Sequence, residues 1–222
     1  MKQTDAFSMI HKTVKLKIRN KNKPIRIAVN GIEGTGKTTF AVNFVEYLKA
    51  RNVAAFHVSI DGFHFNKEVR YKQGRNSANG YYEDTYNEVA FVKSVLLRSQ
   101  ETSPEYVEAT HDLETDAYLE LPPTKIPNDA VLVTDGCYLF KPVFNQHWDL
   151  RVYLKTDFAT ALERGARRDQ NGLGGYDEAK QKFISRYHAA SKRYISEVSP
   201  ELLADWVFDN TDFDDLIALS VT

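Results

Sequence analysis

The sequence predicts an α/β fold: a mainly parallel sheet with helices on both faces, three layers (α/β/α) in all, and a small lid. Three observations predict it. Short apolar runs alternate with segments of helical periodicity. A glycine-rich turn ending in Lys37 joins the first apolar run to the first long amphipathic segment. Two further apolar runs end on an Asp-Gly pair, at Asp61 and Asp135.

The elements follow in order. Residues 12–23 alternate Val14, Leu16 and Ile18 with Lys15, Lys17 and Arg19, which predicts a half-exposed strand or edge element. Its lysines suit a solvated edge that resists edge-to-edge pairing. An RNA or anion contact is the alternative, but no aromatic residue interleaves the basic ones between Lys12 and Arg26. Ile25–Asn30, between Pro24 and Gly31, reads as a buried strand. Residues 38–51 carry Phe40, Ala41, Phe44, Val45 and Leu48 at helical spacing. A second strand is expected at 54–60 and a long polar loop at 61–86. Asn87 can cap a helix to about residue 98, with Val89, Val92, Val95 and Leu96 inward. Residues 106–121 suggest a hairpin or an irregular excursion. Strands are expected at 130–134 and Leu150–Lys155, then a helix capped by Thr156 or Asp157 and running to about residue 169. A glycine-rich break at 171–175 precedes another helix marked by Phe183, Ile184, Tyr187, Tyr194 and Ile195. A strand at 205–208 and a terminal helix at 212–219 close the chain.

Composition bounds the function. The chain has 222 residues, 42% hydrophobic and 27% charged, so it can build one domain with its own core. We expect a single domain over 1–222, with a basic extension at 1–23, an acceptor-side loop at 61–86 and a lid region at 164–176. Net charge is −1, which offers no bulk argument for nucleic acid or membrane partners. Charge is uneven: residues 1–60 hold 11 Lys+Arg against 3 Asp+Glu, while residues 197–222 hold 7 acids and no Lys or Arg. The single cysteine, Cys137, excludes a disulfide framework within the chain and a cysteine zinc site, and reads as a packing residue. No apolar run approaches the roughly 20 residues of a membrane helix, and the N-terminus has no signal-peptide core. A cytoplasmic address is expected. The oligomeric state stays open, a homo-oligomer included.

Residues 31–38, Gly-Ile-Glu-Gly-Thr-Gly-Lys-Thr, match G-x-x-x-x-G-K-[ST]. A predicted strand delivers this loop and a predicted helix leaves it. Glycines let successive backbone N–H groups turn inward around an oxyanion, and the helix N-terminus adds positive charge there. The loop with its neighbour Thr39 is therefore expected to hold a nucleoside triphosphate through Gly31, Glu33, Gly34, Thr35, Gly36, Lys37, Thr38 and Thr39. Lys37 can reach the terminal phosphates, and the Thr38 hydroxyl can ligate Mg²⁺. The match arises by chance in under about 1% of chains of this length, so an ordinary glycine turn carries little weight.

Three further segments bear on the chemistry. Asp61-Gly62-Phe63-His64 follows the second strand, at the end where open sheets gather ligands. Its carboxylate could accept a hydroxyl proton or sit near Mg²⁺; an Asx turn is the plain alternative. His64 suits a structural role at least as well as a substrate contact. Asp135, ending an apolar strand, is the expected acidic partner of the loop at the metal. Arg164, Arg167 and Arg168 share a helix face and could clamp phosphates from a lid, or simply complement a helix dipole.

Taken in order, GIEGTGKTT, DGFH, VLVTDG and LERGARRD resemble the uridine kinase and phosphoribulokinase family of P-loop kinases. Residues 70–87, with the run YKQGRNSANGYYEDTYN, resemble the Arg-, Gly- and Tyr-rich insertion of bacterial uridine kinase-like proteins. The resemblance runs from Pro24 to Asn210. It implies a P-loop NTPase fold and an ATP- and Mg²⁺-dependent kinase acting on a small-molecule hydroxyl, with a nucleoside such as uridine foremost. It implies Asp61 as catalytic base, Lys37 on the transferring phosphate, and Thr38 and Asp135 at Mg²⁺. Arg164 and Arg168 would be lid arginines, and Asp84 would face the acceptor. His64, Arg70, Arg75, Tyr82 and His111 would lie on the acceptor side. Two departures from the family pattern stand out. Residues 170–175 carry no further arginine, and the acceptor segment reads Asp-Gly-Phe-His rather than Asp-Ser-Phe-Tyr. Related kinases with DGF-type segments act on pantothenate, sugars or other small alcohols. Other acceptors (nicotinamide riboside among them) and a non-catalytic NTP-binding module therefore stand as alternatives. A GTPase is disfavoured, because no Asn-Lys-x-Asp run follows the later strands.

Overall fold

In the computed structural model, which describes residues 1–221, six strands form the central sheet. They are β1 (Ile25–Asn30), β2 (Ala55–Ser59), β3 (Val131–Gly136), β4 (Leu150–Lys155), β5 (Trp206–Asp209) and β6 (Ile217–Val221). Their order is β2-β3-β1-β4-β5-β6. The first five run parallel, with Ile25 opposite Val131 and Ile27 opposite Leu150. β6 pairs antiparallel with β5. Central β1 is the strand that delivers the glycine-rich turn, so that turn emerges mid-sheet.

Pleating sends alternate residues to opposite faces, and each face builds a core. Ile27, Val29, Val131, Val133, Val152 and Leu154 face one side. There they meet α1 (Gln3–Asn20) and α2 (Lys37–Lys49) through Phe7, Ile10, Phe40 and Phe44. Ala28, Val58, Leu132, Tyr153 and Val207 face the other side, under Phe63, Phe91, Tyr138 and Tyr194. The helices on that side include α3 (Ala78–Asp84), α4 (Glu88–Phe91) and α7 (Ala189–Val198). Asn87 caps α4, its side chain accepting from Ala90 N at 3.0 Å. The helix then continues as a wide π turn over Val92–Leu97 and a tight turn to Gln100. Val95 and Leu96 face inward as expected, but Val89 is exposed.

Several expectations fail locally. Residues 12–23 are not a strand. The N-terminal segment is helix α1, because Ala6, Phe7, Ile10, His11 and Val14 form a helical stripe that buries. Phe7 packs edge-on against Phe40 at 5.0 Å, while Lys12, Lys15 and Arg19 face water. Full burial of a Phe is worth about 1.5–3 kcal/mol, which outweighs the weak alternation signal. Residues 61–86 are not one polar loop but hold short helices at Lys67–Arg70 and Ala78–Asp84, each with its own side-chain cap. The terminal helix at 212–219 is absent, and β6 covers the sheet edge instead, with Leu216 buried beside it. The break at 171–175 narrows to Gly174 and Gly175, both at positive φ, because α5 (Phe158–Leu173) runs on from its Asp157 cap. These glycines turn the chain into α6 (Tyr176–Lys182), which packs back on α5 as a helical hairpin. Residues 106–121 are irregular apart from a small hairpin, His111–Asp112 against Ala117–Tyr118, while Glu105–Tyr106 pairs with Thr124–Lys125. No helix among the described residues is long and apolar enough to cross a membrane.

Candidate active site

The turn after β1 wraps into a cradle that depends on two left-handed glycines. Gly34 and Gly36 sit at φ +87° and +92°. A Cβ on Gly34 would meet the Ala161 carbonyl oxygen at 2.0 Å, so only glycine fits there. Thr35 Oγ1 donates back to Ile32 O at 2.6 Å, and buried Asn210 donates from Nδ2 to Thr35 O at 2.8 Å. Asn210 lies just past β5, so the fifth strand pins the cradle. α2 begins at Lys37 and aims its free N–H groups at the same space.

Lys37 is buried, and its Nζ donates to Ile32 O at 2.9 Å, with Glu33 Oε2 at 3.9 Å. Burial works against its charge, yet neighbouring anions including Glu33 and Asp135 hold the ammonium above its usual range. Burial likewise pushes Glu33 up, but Lys37 and donors Tyr81 and Cys137 outweigh it, so Glu33 stays ionised. Gly31 O, 3.2 Å from Cys137 Sγ, is a second acceptor within reach of its one proton, and burial pushes the thiol well up, so it serves as a neutral strut.

Asp135 ends β3 beside the cradle. Thr38 Oγ1 donates to its Oδ2 at 2.6 Å, and His57 Nε2 lies 2.7 Å from its Oδ1. Burial would raise this carboxyl, but the bonds from His57 and Thr38 prevail and hold it low. No cluster of three or more His, Cys, Asp or Glu among the described residues could cage a metal. One hydroxyl and one carboxylate at the cradle fit Mg²⁺, which keeps waters and phosphate oxygens as most of its ligands.

Asp61 follows β2 in a tight turn, Ile60–Phe63, its N–H donating to Ser59 Oγ at 3.3 Å. Tyr86 OH donates to Asp61 Oδ1 at 2.9 Å. The carboxyl opens onto the cleft, yet protein walls ring it and Glu33 and Asp135 stand close. Burial first, then these two like charges, push it up to about 6. Asp61 lines two adjoining cavities. One is the cradle, with Lys37, Thr38, Thr39, Asp135 and Arg168. The other is a cleft of about 200 Å³ whose walls include His64, Arg70, Tyr71, Tyr81, Arg186 and Tyr187. Glu33 is common to both.

The remaining expected residues divide. His64 lines the cleft, but its Nδ1 is held 2.6 Å from Asp61 O, and burial lowers its imidazole to about 4, so it is neutral at pH 7. Arg70 lines the cleft and pairs with Asp116. Tyr82 lies outside, because its ring packs on Tyr138 and under Lys141; its neighbour Tyr81 faces in. Asp84 is buried against Lys72 and Gln73, and bonds them rather than lining the cleft. His111 is buried against Tyr118, 3.3 Å from Asp116, and also lies outside. Arg75 is exposed and lines a separate outer hollow. Arg164 is not part of the cradle wall. It stacks on Phe213 and donates to Asn210 O and Thr211 O, holding the loop that pins the cradle. Arg168 reaches the cradle and pairs with Asp169.

Sequence reasoning missed His57, Asn210, Tyr86, Tyr81 and Arg186. The tyrosines stood inside the GYYEDTYN run, where the helical turn of α3 selects Tyr81 over Tyr82. The others carried no local signal.

The model of the Phosphoribulokinase / Uridine kinase family matches residues 26–212. The uridine kinase of Leuconostoc citreum is 27% identical over 191 residues, covering 81% of this chain and 88% of its own. A candidate uridine kinase from Bacillus stearothermophilus superposes with TM-score 0.67 at 18% identity, over 90% of this chain and all (100%) of that one. The D-glycerate 3-kinase of Cryptococcus neoformans superposes with TM-score 0.63 at 10% identity, covering 96% of this chain and 99% of that one. At such identities the two structures establish likeness of fold alone.

Proposed function

Since the chain belongs to the Phosphoribulokinase / Uridine kinase family of P-loop kinases, we propose that it transfers the γ-phosphate of ATP to a hydroxyl of a small molecule. One observation carries this reading: Asp61 lines both the cradle and the second cleft, where a base must stand to serve an acceptor beside a triphosphate. A module that only bound nucleotide would have no use for a carboxylate at that junction.

The triphosphate lies in the amide cradle, and the acceptor hydroxyl lies in the cleft against Asp61. As the hydroxyl oxygen bonds to the γ-phosphorus, the bond from that phosphorus to the β-bridging oxygen breaks and ADP leaves. The hydroxyl proton passes to Asp61. Lys37, the cradle amides and Arg168 offset charge spreading over the transferring group. Thr38 and Asp135 would hold the Mg²⁺ that accompanies the nucleotide, which would neutralise phosphate charge. The α5–α6 hairpin, which carries Arg168 and Asp169, acts as a lid that keeps water from competing with the acceptor. Tyr86 and His64 position Asp61 by its carboxylate and its carbonyl.

Acceptor candidates are a nucleoside such as uridine, as the relatives' names suggest, or another small alcohol such as pantothenate, a sugar or nicotinamide riboside. A coupled ADP-release assay tests the reading. A kinase shows little turnover until an acceptor is added. Turnover without acceptor would make the protein a hydrolase, and nucleotide binding with no turnover across the acceptor panel would make it a binding module.

A further inference from the structure

Four cationic side chains gather around Tyr71, two at the second cleft and two, Arg75 and Lys182, in the outer hollow beside it. Arg70 and Arg186 form part of the cleft wall and are 8% and 3% exposed. Their guanidinium carbons lie 5.4 Å and 5.0 Å from the Tyr71 ring centre, and that of Arg75 lies 5.9 Å away. Lys182 is half-buried beside them. Burial first, and then Arg186, Arg75 and Arg70, hold its ammonium below the usual range.

Protein carboxylates do not balance this charge. Asp116 pairs with Arg70 at 2.9 Å. Among the described residues, none lies within ion-pair distance (4.0 Å) of Arg186, Arg75 or Lys182. The acids of the cleft are engaged elsewhere: Glu33 with Tyr81, Cys137 and Lys37, Asp61 with Tyr86, and Asp169 with Arg168. Asp177 and Glu178 share the outer hollow with Arg75 and Lys182 without pairing with them. The Nε atoms of Arg70 and Arg186 are buried with no hydrogen-bond partner. Arg186 spends one Nη on the carbonyl of Arg75 and stands among the rings of Tyr71, Tyr81 and Tyr187. Those rings surround it but carry no formal charge. Burial pushes the Tyr71 phenol up, yet the bond from Arg186 and the neighbouring Arg70 and Lys182 charges bring it below its ordinary value.

Buried charge is normally paired, because desolvation is costly. Guanidinium groups at a cleft wall whose charge protein carboxylates do not fully match suit an oxyanion that enters the cleft. Resting on the kinase reading above, we propose that the phosphate acceptor is itself an anion: a hydroxyl compound bearing a carboxylate or phosphate, gripped by Arg186 and Arg70 beside Tyr71, with Lys182 in the adjoining hollow adding positive charge behind them. This favours pantothenate-like hydroxy acids and sugar phosphates over neutral uridine, and disfavours the cation nicotinamide riboside most.

Binding can be read apart from turnover. Fill the cradle with a non-hydrolysable ATP analogue and Mg²⁺, then titrate inorganic phosphate and malonate calorimetrically. One anion should bind per chain, and the tighter probe separates a phosphate site from a carboxylate site. Arg186→Gln should weaken it about tenfold or more, since the anion loses a charge-assisted partner, and Lys182→Gln about threefold, since it loses a nearby positive charge. Arg186→Lys should recover part of the loss. Lys182 is only half-buried, so its variant serves even if Arg186→Gln does not fold. No anion binding with the cradle filled, or equal affinity in wild type and Lys182→Gln, would overturn the proposal. An acceptor panel distinguishes the two failures. Anion binding without any phosphorylation removes the kinase reading, whereas brisk phosphorylation of uridine without anion binding removes this inference alone.

Discussion

The phosphate cradle and the acceptor cleft share Asp61 and Glu33 but are built differently. The phosphate-facing part of the cradle is one contiguous run, residues 31–39, whose recognition groups are main-chain amides and a helix start, with Asp61, Asp135 and Arg168 completing its wall. Its shape follows from where glycine stands. The cleft is assembled from side chains on distant segments, including His64, Tyr81, Arg186 and Tyr187. Its shape follows from how those segments pack. Main-chain recognition can be spelled in a short motif; side-chain recognition across a cavity cannot. The cradle side should therefore govern whether chemistry happens, and the cleft side should govern on what.

The largest effect should come from the residue common to both. Asp61→Asn keeps the shape and the Tyr86 bond but removes the base, so kcat should fall about 10²–10⁴-fold. The KM for ATP should stay near the wild-type value, as steady-state kinetics will show. The raised carboxyl adds a pH signature: kcat/KM in the wild type should fall as pH drops through about 6, where Asp61 becomes protonated. A profile flat from pH 7 to 5 would remove Asp61 as the base. Next comes Lys37→Ala, on the cradle side alone. Losing one buried charge-stabilising donor should cost about 10²–10³-fold in kcat with every acceptor alike. A loss that depended on the acceptor would blur the division between the two regions.

The same division explains what was legible beforehand. The motif at 31–38, and Asp61 and Asp135 at strand ends, were readable because each sits at a chain position that the α/β architecture itself specifies. The four internal strands were readable as apolar runs. Helix α1 was missed because Val14, Leu16 and Ile18 alternate by chance over a few residues, while the true stripe from Ala6 to Val14 lies mostly upstream. β6 was missed because an exposed edge strand with Ile217 and Leu219 on its outer side has no clear period. On the acceptor side, Tyr82 and Tyr81 are adjacent letters, and only the helical turn of α3 sends one to the cleft and the other to Lys141. Asn210 carried no signal, since its bond to Thr35 O spans 175 positions.

That bond supplies a smaller, structural test. Asn210→Ala removes the Nδ2 donor to Thr35 O and leaves a buried carbonyl unpaired, which should destabilise the fold by about 1–3 kcal/mol. Because the donor clamps the cradle and not the cleft, the KM for ATP should rise while the KM for the acceptor holds. Denaturant unfolding and paired KM measurements check both halves.

The smallest effect is the most informative about how function was installed. Asp61 titrates at about 6 in the fold, whereas an unfolded aspartate titrates near 4 (~3.9). The folded chain therefore holds this proton more tightly than the unfolded chain does. Its contribution to stability is fully present below about pH 4 and is lost as pH rises through about 6. At pH 7 the ionised carboxylate is a net liability. Solvent in the open cleft screens it, so the cost is about 1 kcal/mol rather than the full value of the shift. Asp61→Asn removes the liability along with the base. Its melting temperature at pH 7 should exceed that of the wild type by about 2–4 °C, the shift expected per kcal/mol in a chain this long. The gap should close near pH 4, where both side chains are neutral. A variant that gains stability as it loses turnover would mark Asp61 as a charge kept for chemistry against the interest of the fold. A variant less stable at pH 7 would instead make the carboxylate a structural partner of Tyr86, and the junction between the two regions would lose its base.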